Sequence, residues 1–224
     1  MKALFLNGSP RKNFNTFKML ENAMKGASDA GAVTELINLY DFNFKGCVSC
    51  FACKLKNSKT NGLCAVRDEI RPVLEKALNS DVLVMGSPIY FSYPTGVLRS
   101  FLERLMFPVL SYNVKLSAGE GGKILDRTIQ TAMIYTMGLP ENMFDESNYE
   151  KILGENERFL KFLFGATETL YVKNTYQFSD YSRYDIGEGI EEMKAKYRDE
   201  HFAQDLQNAY ELGKRLVNKA KGEN

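Results

Sequence analysis

The sequence predicts an α/β fold: a doubly wound parallel sheet with helices on both faces. Short apolar runs recur along the chain without polar alternation, as strands buried on both faces require. Each is followed by a stretch whose apolar residues fall three and four apart, the period of an amphipathic helix. The runs also end abruptly in polar turns, the first at Gly8-Ser9-Pro10-Arg11-Lys12-Asn13-Phe14-Asn15-Thr16. Parallel neighbours need a crossover connection, which a helix supplies.

Residues 2–7 form the first apolar run, and from Thr16 to about Ala30 the residues Phe17, Leu20, Met24 and Ala27 keep helical spacing, with Gly31 as a stop. Val33 to Leu39 reads as the second strand. Residues 40–66 are irregular, and Asp68 is placed to cap a helix through about Leu78. Asp81 to Gly86 is the third strand, ending in a turn over 87–96, and Leu98, Phe101, Leu102 and Leu105 continue as a helix that Met106, Phe107 and Pro108 end. Residues 112–127, with three glycines, read as a loop. Thr128 to Thr136 gives a fourth strand, Ser147 to Phe164 a helix, Glu168 to Thr175 a fifth strand, and about Glu200 to Lys219 the last helix. Five strands joined this way suit the order 2-1-3-4-5, whose ligand site lies beyond the carboxyl ends of the strands where the order reverses. The economical reading is one domain over 1–224, with a cysteine-containing loop at about 40–66 and a C-terminal extension at about 176–224.

Composition narrows the partners. The 224 residues are 44% hydrophobic and 25% charged, with a net charge of +1 and both signs interspersed. That balance offers no footprint for nucleic acid or an anionic membrane. The N-terminus reads as a strand and turn rather than a signal peptide, and no apolar run is long enough to span a bilayer. The expectation is a cytoplasmic protein, where structural disulfides are disfavoured.

The loops after strands 1, 3 and 4 emerge on one edge of such a sheet, and these are the loops of unusual composition. The first places backbone N–H groups, the hydroxyls of Ser9 and Thr16, Asn15 and the Arg11 guanidinium at the positive end of a helix, where an anion can sit. It lacks the Gly-Lys-Ser/Thr ending of a nucleoside triphosphate loop and the three spaced glycines of a dinucleotide fingerprint. The second, Ser87-Pro88-Ile89-Tyr90-Phe91, supplies an apolar face for a flat ring system. The third, Thr136-Met137-Gly138, offers a small hydroxyl and a glycine that permits close backbone approach.

These motifs, Gly8-Ser9-Pro10-Arg11 with Asn15-Thr16, Gly86 to Phe91, and a cysteine block at 47–64, resemble the NAD(P)H-dependent FMN reductase and iron–sulfur flavoprotein branch of the flavodoxin-like fold. The resemblance covers roughly residues 1–140. It implies an FMN phosphate held by Ser9, Arg11, Asn15 and Thr16, and an isoalloxazine lying against Pro88, Ile89, Tyr90 and Phe91. Thr136, Met137 and Gly138 then close the other side. The sequence departs from the family at Phe14, where small residues are usual. The resemblance further implies homodimers or homotetramers with the flavin near a subunit contact. On that basis the aromatic run Tyr176, Phe178, Tyr181 and Tyr184 is expected at an interface, with a lid or a packed tail as the alternatives.

Cys47, Cys50 and Cys53 are separated by two intervening residues each, and Cys64 follows. C-x2-C-x2-C with a more distant fourth cysteine resembles [4Fe-4S] ligation. Tetrahedral zinc also accepts four thiolates, and free or redox-active thiols are the third reading. The interval from Cys53 to Cys64 is wider than iron–sulfur flavoproteins typically show.

Flavin chemistry asks little of side chains, because the cofactor carries it and the protein supplies orientation and electrostatics. His201, the one histidine, falls in the last helix and is assigned a surface or packing role. The expectation is an FMN oxidoreductase that takes electrons from NAD(P)H and gives them to a small acceptor such as a quinone or free flavin. With a cluster it would pass single electrons to a redox protein partner. A flavodoxin-like carrier and a flavin-free metal-binding module are the rival readings.

Overall fold

The computed structural model describes residues 1–113 and 122–223. The chain runs β1 (Lys2–Asn7), α1 (Asn15–Asp29), β2 (Val33–Asn38), α2 (Arg71–Leu78), β3 (Val82–Tyr90), β4 (Tyr93–Pro94) and α3 (Gly96–Val109). It continues with β5 (Leu110–Ser111), β6 (Gly122–Lys123), β7 (Ile129–Thr136), α4 (Glu141–Glu146), α5 (Tyr149–Phe164), β8 (Gly165–Val172) and α6 (Ile190–Lys221). The parallel order β2-β1-β3-β7-β8 is the expected 2-1-3-4-5. No helix among the described residues is long and apolar enough to cross a membrane.

Side chains alternate across the sheet and build a core on each face. Leu4, Leu6, Leu83, Met85, Met133 and Tyr135 point to the side covered by α2, α3 and α5. Ala3, Phe5, Val82, Val84, Ala132 and Ile134 point to the side covered by α1 and α6. β1, β3 and β7 are central and almost wholly buried, whereas the edge strands β2 and β8 are partly exposed. That explains the strength of the apolar signal in the first three.

Several boundaries differ from expectation. β3 continues through Tyr90 because Ser87 and Pro88 extend its parallel pairing with β7 and Ile89 and Tyr90 pair with β4 as an antiparallel hairpin, in which Phe91 and Ser92 make the turn with positive φ. Two left-handed residues are what a tight hairpin with matched strand twist requires. Pro108 sits within α3, which runs to Val109. β8 begins at Gly165, three residues early, and α6 begins at Ile190, ten residues early. A short helix, α4, occupies a stretch to which the sequence assigns no element. The expected 112–127 loop lies partly outside the described residues, and its described end pairs with β5.

Packing of α1 on α6 is backbone to backbone. A Cβ at Gly213 would lie 1.8 Å from the Ala23 carbonyl oxygen, and one at Gly26 would lie 2.0 Å from that of Tyr210. Only glycine fits at this crossing. Gly213→Ala is therefore expected to destabilise the protein by about 3 kcal/mol through overpacking, despite roughly 1 kcal/mol gained in helix propensity. Thermal melting of the variant checks this; an unchanged or raised Tm would contradict the packing.

Candidate functional site

Loop 1 is shaped by its own short polar bonds. Asn7, fully buried at the end of β1, accepts from the Ser9 amide at 3.0 Å and donates to Asn38 at 2.9 Å. Ser9 Oγ accepts from the Arg11 amide at 3.1 Å. α1 then starts without a side-chain cap and without an acidic residue in its first turn. Its first helical bond runs from the Lys18 amide to the Phe14 carbonyl, so the amides of Asn15, Thr16 and Phe17 have no acceptor among the described residues. Uncapped N–H groups at a dipole's positive end, beside Arg11, make an anion cradle.

The Arg11 guanidinium stacks on Phe14, 4.0 Å from the ring centroid. The departure from the family pattern thus has a physical use as a platform for the arginine. Arg11 and Asn15 also reach across to the C-terminal segment. Arg11 Nη1 donates to the Gln177 carbonyl at 2.5 Å, and Asn15 Nδ2 to that of Tyr176 at 2.6 Å.

The other two loops are sewn to the first. Thr95 Oγ1 donates to the Gly8 carbonyl at 2.7 Å, and its amide donates to Ser87 Oγ at 3.0 Å. The hydroxyls of Thr16 and Thr136, both buried, share a 2.7 Å hydrogen bond. Pro88 stands opposite Thr136 in the β3–β7 register. The predicted residues Ser9, Arg11, Asn15, Thr16, Pro88, Thr136 and Gly138 are therefore gathered at one sheet edge. Ile89, by contrast, packs partly into the core, and Tyr90 and Phe91 form an exposed hairpin tip, Phe91 at 98%. Phe91 and Ser92 hold left-handed backbone, a conformation costing of order 1 kcal/mol per non-glycine residue.

In the third loop the carbonyls are spent and two amides are left over. The Met137 amide donates to Val172, its carbonyl accepts from Thr175, and the Leu139 carbonyl accepts from Asn174. The Met137 side chain is buried in the core, so this residue has no free polar group. The amides of Gly138 and Leu139 have no acceptor among the described residues. A Cβ at Gly138 would lie 2.7 Å from the Gln177 side chain, so the close approach expected there is made by the C-terminal segment.

That segment, expected at an interface, is a fourth wall beside the three loops. Tyr181 is buried, and its hydroxyl accepts from the Gln177 amide at 2.9 Å. Tyr176 and Phe178 meet it edge-on, and Phe178 stacks on Tyr184 at 3.8 Å between centroids. The run therefore packs largely on itself and braces Tyr176 and Gln177 against loop 1. Asn174, Gln177 and Lys194 at this wall have no signal in the sequence, because each is a polar residue in a polar stretch.

The cysteine loop lies on the α3 side. Cys47, Cys50, Cys53 and Cys64 are unpaired and line one small cavity with Arg104. Among the described residues no three metal-ligating side chains are already gathered at binding geometry. Arg104 staples the loop's ends to α3. It makes a bidentate pair with Asp68 at 2.5 and 2.9 Å and donates to the carbonyls of Lys45 and Val66. Its Nε is buried with no acceptor among the described residues. Ser49 and Phe51, both at positive φ, flank Cys50. Burial pushes the Cys53 thiol pKa up, and the neighbouring Lys54 ammonium opposes this. Lys54 itself donates to the Phe107 and Leu110 carbonyls at the end of α3.

Between this loop, α3 and α5 runs an apolar groove of about 980 Å³, with Phe51, Tyr93, Phe107, Tyr112 and Phe159 in its walls. Arg99 there donates to Asn156 at 2.6 Å.

The family model described as NADPH-dependent FMN reductase matches residues 1–131. An iron-sulfur flavoprotein of Archaeoglobus fulgidus is 38% identical over 104 residues, 46% of this chain and 48% of that protein. One from Methanocaldococcus jannaschii is 31% identical over 104 residues, 46% of this chain and 51% of that protein. The chain spans about half the length of the curated relatives it matches. Among solved structures, an NAD(P)H:quinone oxidoreductase from Methanothermobacter marburgensis superimposes with a TM-score of 0.68 at 17% identity, over 96% of this chain and 98% of that one. The azoreductase AzrA does so with a TM-score of 0.65 at 16% identity, over 96% of this chain and 100% of that one. At such identities the likeness speaks for the fold.

Arg104→Met removes one partner of a buried pair and should cost about 3 kcal/mol, the low end for such a change because Asp68 is partly exposed. The cysteine loop then loses its staple. Alkylation followed by mass spectrometry should find Cys64, buried in the parent protein, modified faster in the variant; equal rates would show that Arg104 does not hold the loop.

Proposed function

The chain belongs to the NADPH-dependent FMN reductase family, and on that premise we propose that it is an oxidoreductase that binds FMN non-covalently at the edge shared by the loops after β1, β3 and β7. Its electrons come from NAD(P)H and pass to a small acceptor. The observation that carries this reading is the uncapped start of α1, three amides without acceptors among the described residues beside an arginine, at the same edge as a third loop that leaves two more amides free.

In this reading Ser9, Arg11, Asn15, Thr16 and the first-turn amides of α1 hold the phosphate. Pro88 and the hairpin 89–91 flank the ring, and the Gly138 and Leu139 amides donate to its polar edge. Thr136 holds Thr16 in place through their shared hydrogen bond. FMN so bound supplies hydride and electron transfer. The residues orient it, and the wall at 174–178 excludes water from one side. With no second nucleotide fingerprint in the sequence, the nicotinamide donor has only a transient place on the exposed face. The apolar groove beside Tyr93 suits a flat aromatic acceptor such as a quinone.

A second reading, a [4Fe-4S] centre on Cys47, Cys50, Cys53 and Cys64, is favoured by one observation. All four line a cavity that Arg104 also lines, and Arg104 carries a buried Nε–H with no acceptor among the described residues, which a cluster or thiolate sulfur within its reach would satisfy. The cluster would supply single-electron transfer toward a redox protein partner. Anaerobic preparation with iron analysis decides it: about four irons per chain is expected for a cluster, and iron at background level removes this reading.

Arg11→Ala should weaken FMN about tenfold, the worth of one charge-assisted hydrogen bond at a solvent-facing site. Phe14→Ala should weaken it about threefold, by freeing the arginine from its platform. Fluorescence titration of FMN reads both, and adding NADPH to the anaerobic complex should bleach the flavin absorbance. A parent protein that binds no FMN would overturn the proposal; one that binds FMN but is bleached by neither nicotinamide would reduce it to a carrier.

A further inference from the structure

Lys194, in the first turns of α6, is 4% exposed. Its Nζ donates to the Gly138 carbonyl at 2.8 Å and to Asn174 Oδ1 at 3.1 Å, with the Thr175 carbonyl at 3.5 Å. Three oxygens around one nitrogen match the three N–H bonds of an ammonium; a neutral amine has only two, and its lone pair would face an oxygen. Burial lowers the pKa of this group, and among the described residues no carboxylate counteracts that. A lysine buried among neutral acceptors is costly to keep and is rarely found without a use.

Its principal acceptor ties it to the third loop. The Gly138 carbonyl and the Leu139 amide belong to one peptide unit, and no peptide bond among the described residues is cis. In a trans peptide the C=O and N–H point in opposite directions. A Lys194 ammonium that holds the carbonyl toward α6 therefore turns the free Leu139 N–H away from α6. Asn174, whose side chain also receives the lysine, sits in left-handed backbone and donates its amide to the Leu139 carbonyl. Lys194 thus holds the 138–139 peptide, and Asn174 holds the peptide unit that follows it.

We propose that Lys194 is a positioning residue for the cofactor edge: it fixes the 138–139 peptide and places an unneutralised positive charge behind it, favouring the reduced flavin over the oxidised one. This rests on the FMN reading above and deepens it. A hydride brings two electrons and one proton, so its acceptance adds one unit of negative charge to the flavin. A fixed cation and oriented amides in a water-poor site stabilise that added charge and do little for the neutral oxidised ring.

The test is the ratio of FMN dissociation constants in the oxidised and dithionite-reduced states, measured anaerobically for the parent protein, Lys194→Met, Lys194→Gln and Lys194→Arg. Reduced FMN should lose about tenfold more affinity than oxidised FMN in the Met and Gln variants, and Arg should restore the parent ratio. Equal weakening of both states, or a ratio shifted as far by Arg as by Gln, would mean a purely structural lysine and overturns the proposal. If Lys194→Met does not fold, Gln against Arg carries the comparison. A parent protein that fails to bind FMN in either state sinks the functional reading itself, whereas normal parent binding with an unmoved ratio sinks only this inference.

Discussion

Everything at the candidate site depends on the parallel direction of the central strands. Because β1, β3 and β7 run the same way, their carboxyl ends share one edge, and the loops that follow meet whatever their separation in sequence. Thr16 and Thr136 lie 120 residues apart and share a hydrogen bond; Gly8 and Thr95 lie 87 apart and do likewise. These bonds are few and buried, and they convert a topological coincidence into a fixed distance. A sheet of the same strands in antiparallel order would scatter the three loops to both ends.

The same edge is rich in donors. Among the described residues, the first-turn amides of α1 and the amides of Gly138 and Leu139 are left over after the protein's own acceptors are used, and Arg11 keeps further N–H groups beyond the one it gives to Gln177. Leaving such groups free costs stability, since a capped N-terminus is worth about 1 kcal/mol. The cores on both faces, and the glycine-mediated contact of α1 with α6, offset that cost away from the site. On the other face the cysteine loop follows another logic. Arg104 holds its ends by four hydrogen bonds, while the interior keeps four thiols around a cavity.

The central strands and loop 1 are legible in the sequence because burial on both faces leaves an unbroken apolar run, and the polar turn that ends it has no other explanation. The β3 hairpin is less legible: Tyr90 and Tyr93 pair across a two-residue turn of Phe91 and Ser92, and neither turn residue is one that tight turns favour. β8 and the start of α6 are blurred because an edge strand and a solvated helix carry mixed polarity. Lys194 is the furthest from prediction. Its importance comes from a carbonyl 56 residues away, and a lysine in a charged helix has surface exposure as its default reading.

The most direct measurement of whether one ligand engages all three loops is amide hydrogen exchange with and without FMN. The account predicts that the amides of Asn15, Thr16 and Phe17 and those of Gly138 and Leu139 gain protection together, at the same FMN concentration. Protection confined to one of these groups, or found elsewhere while both stay unchanged, would contradict it.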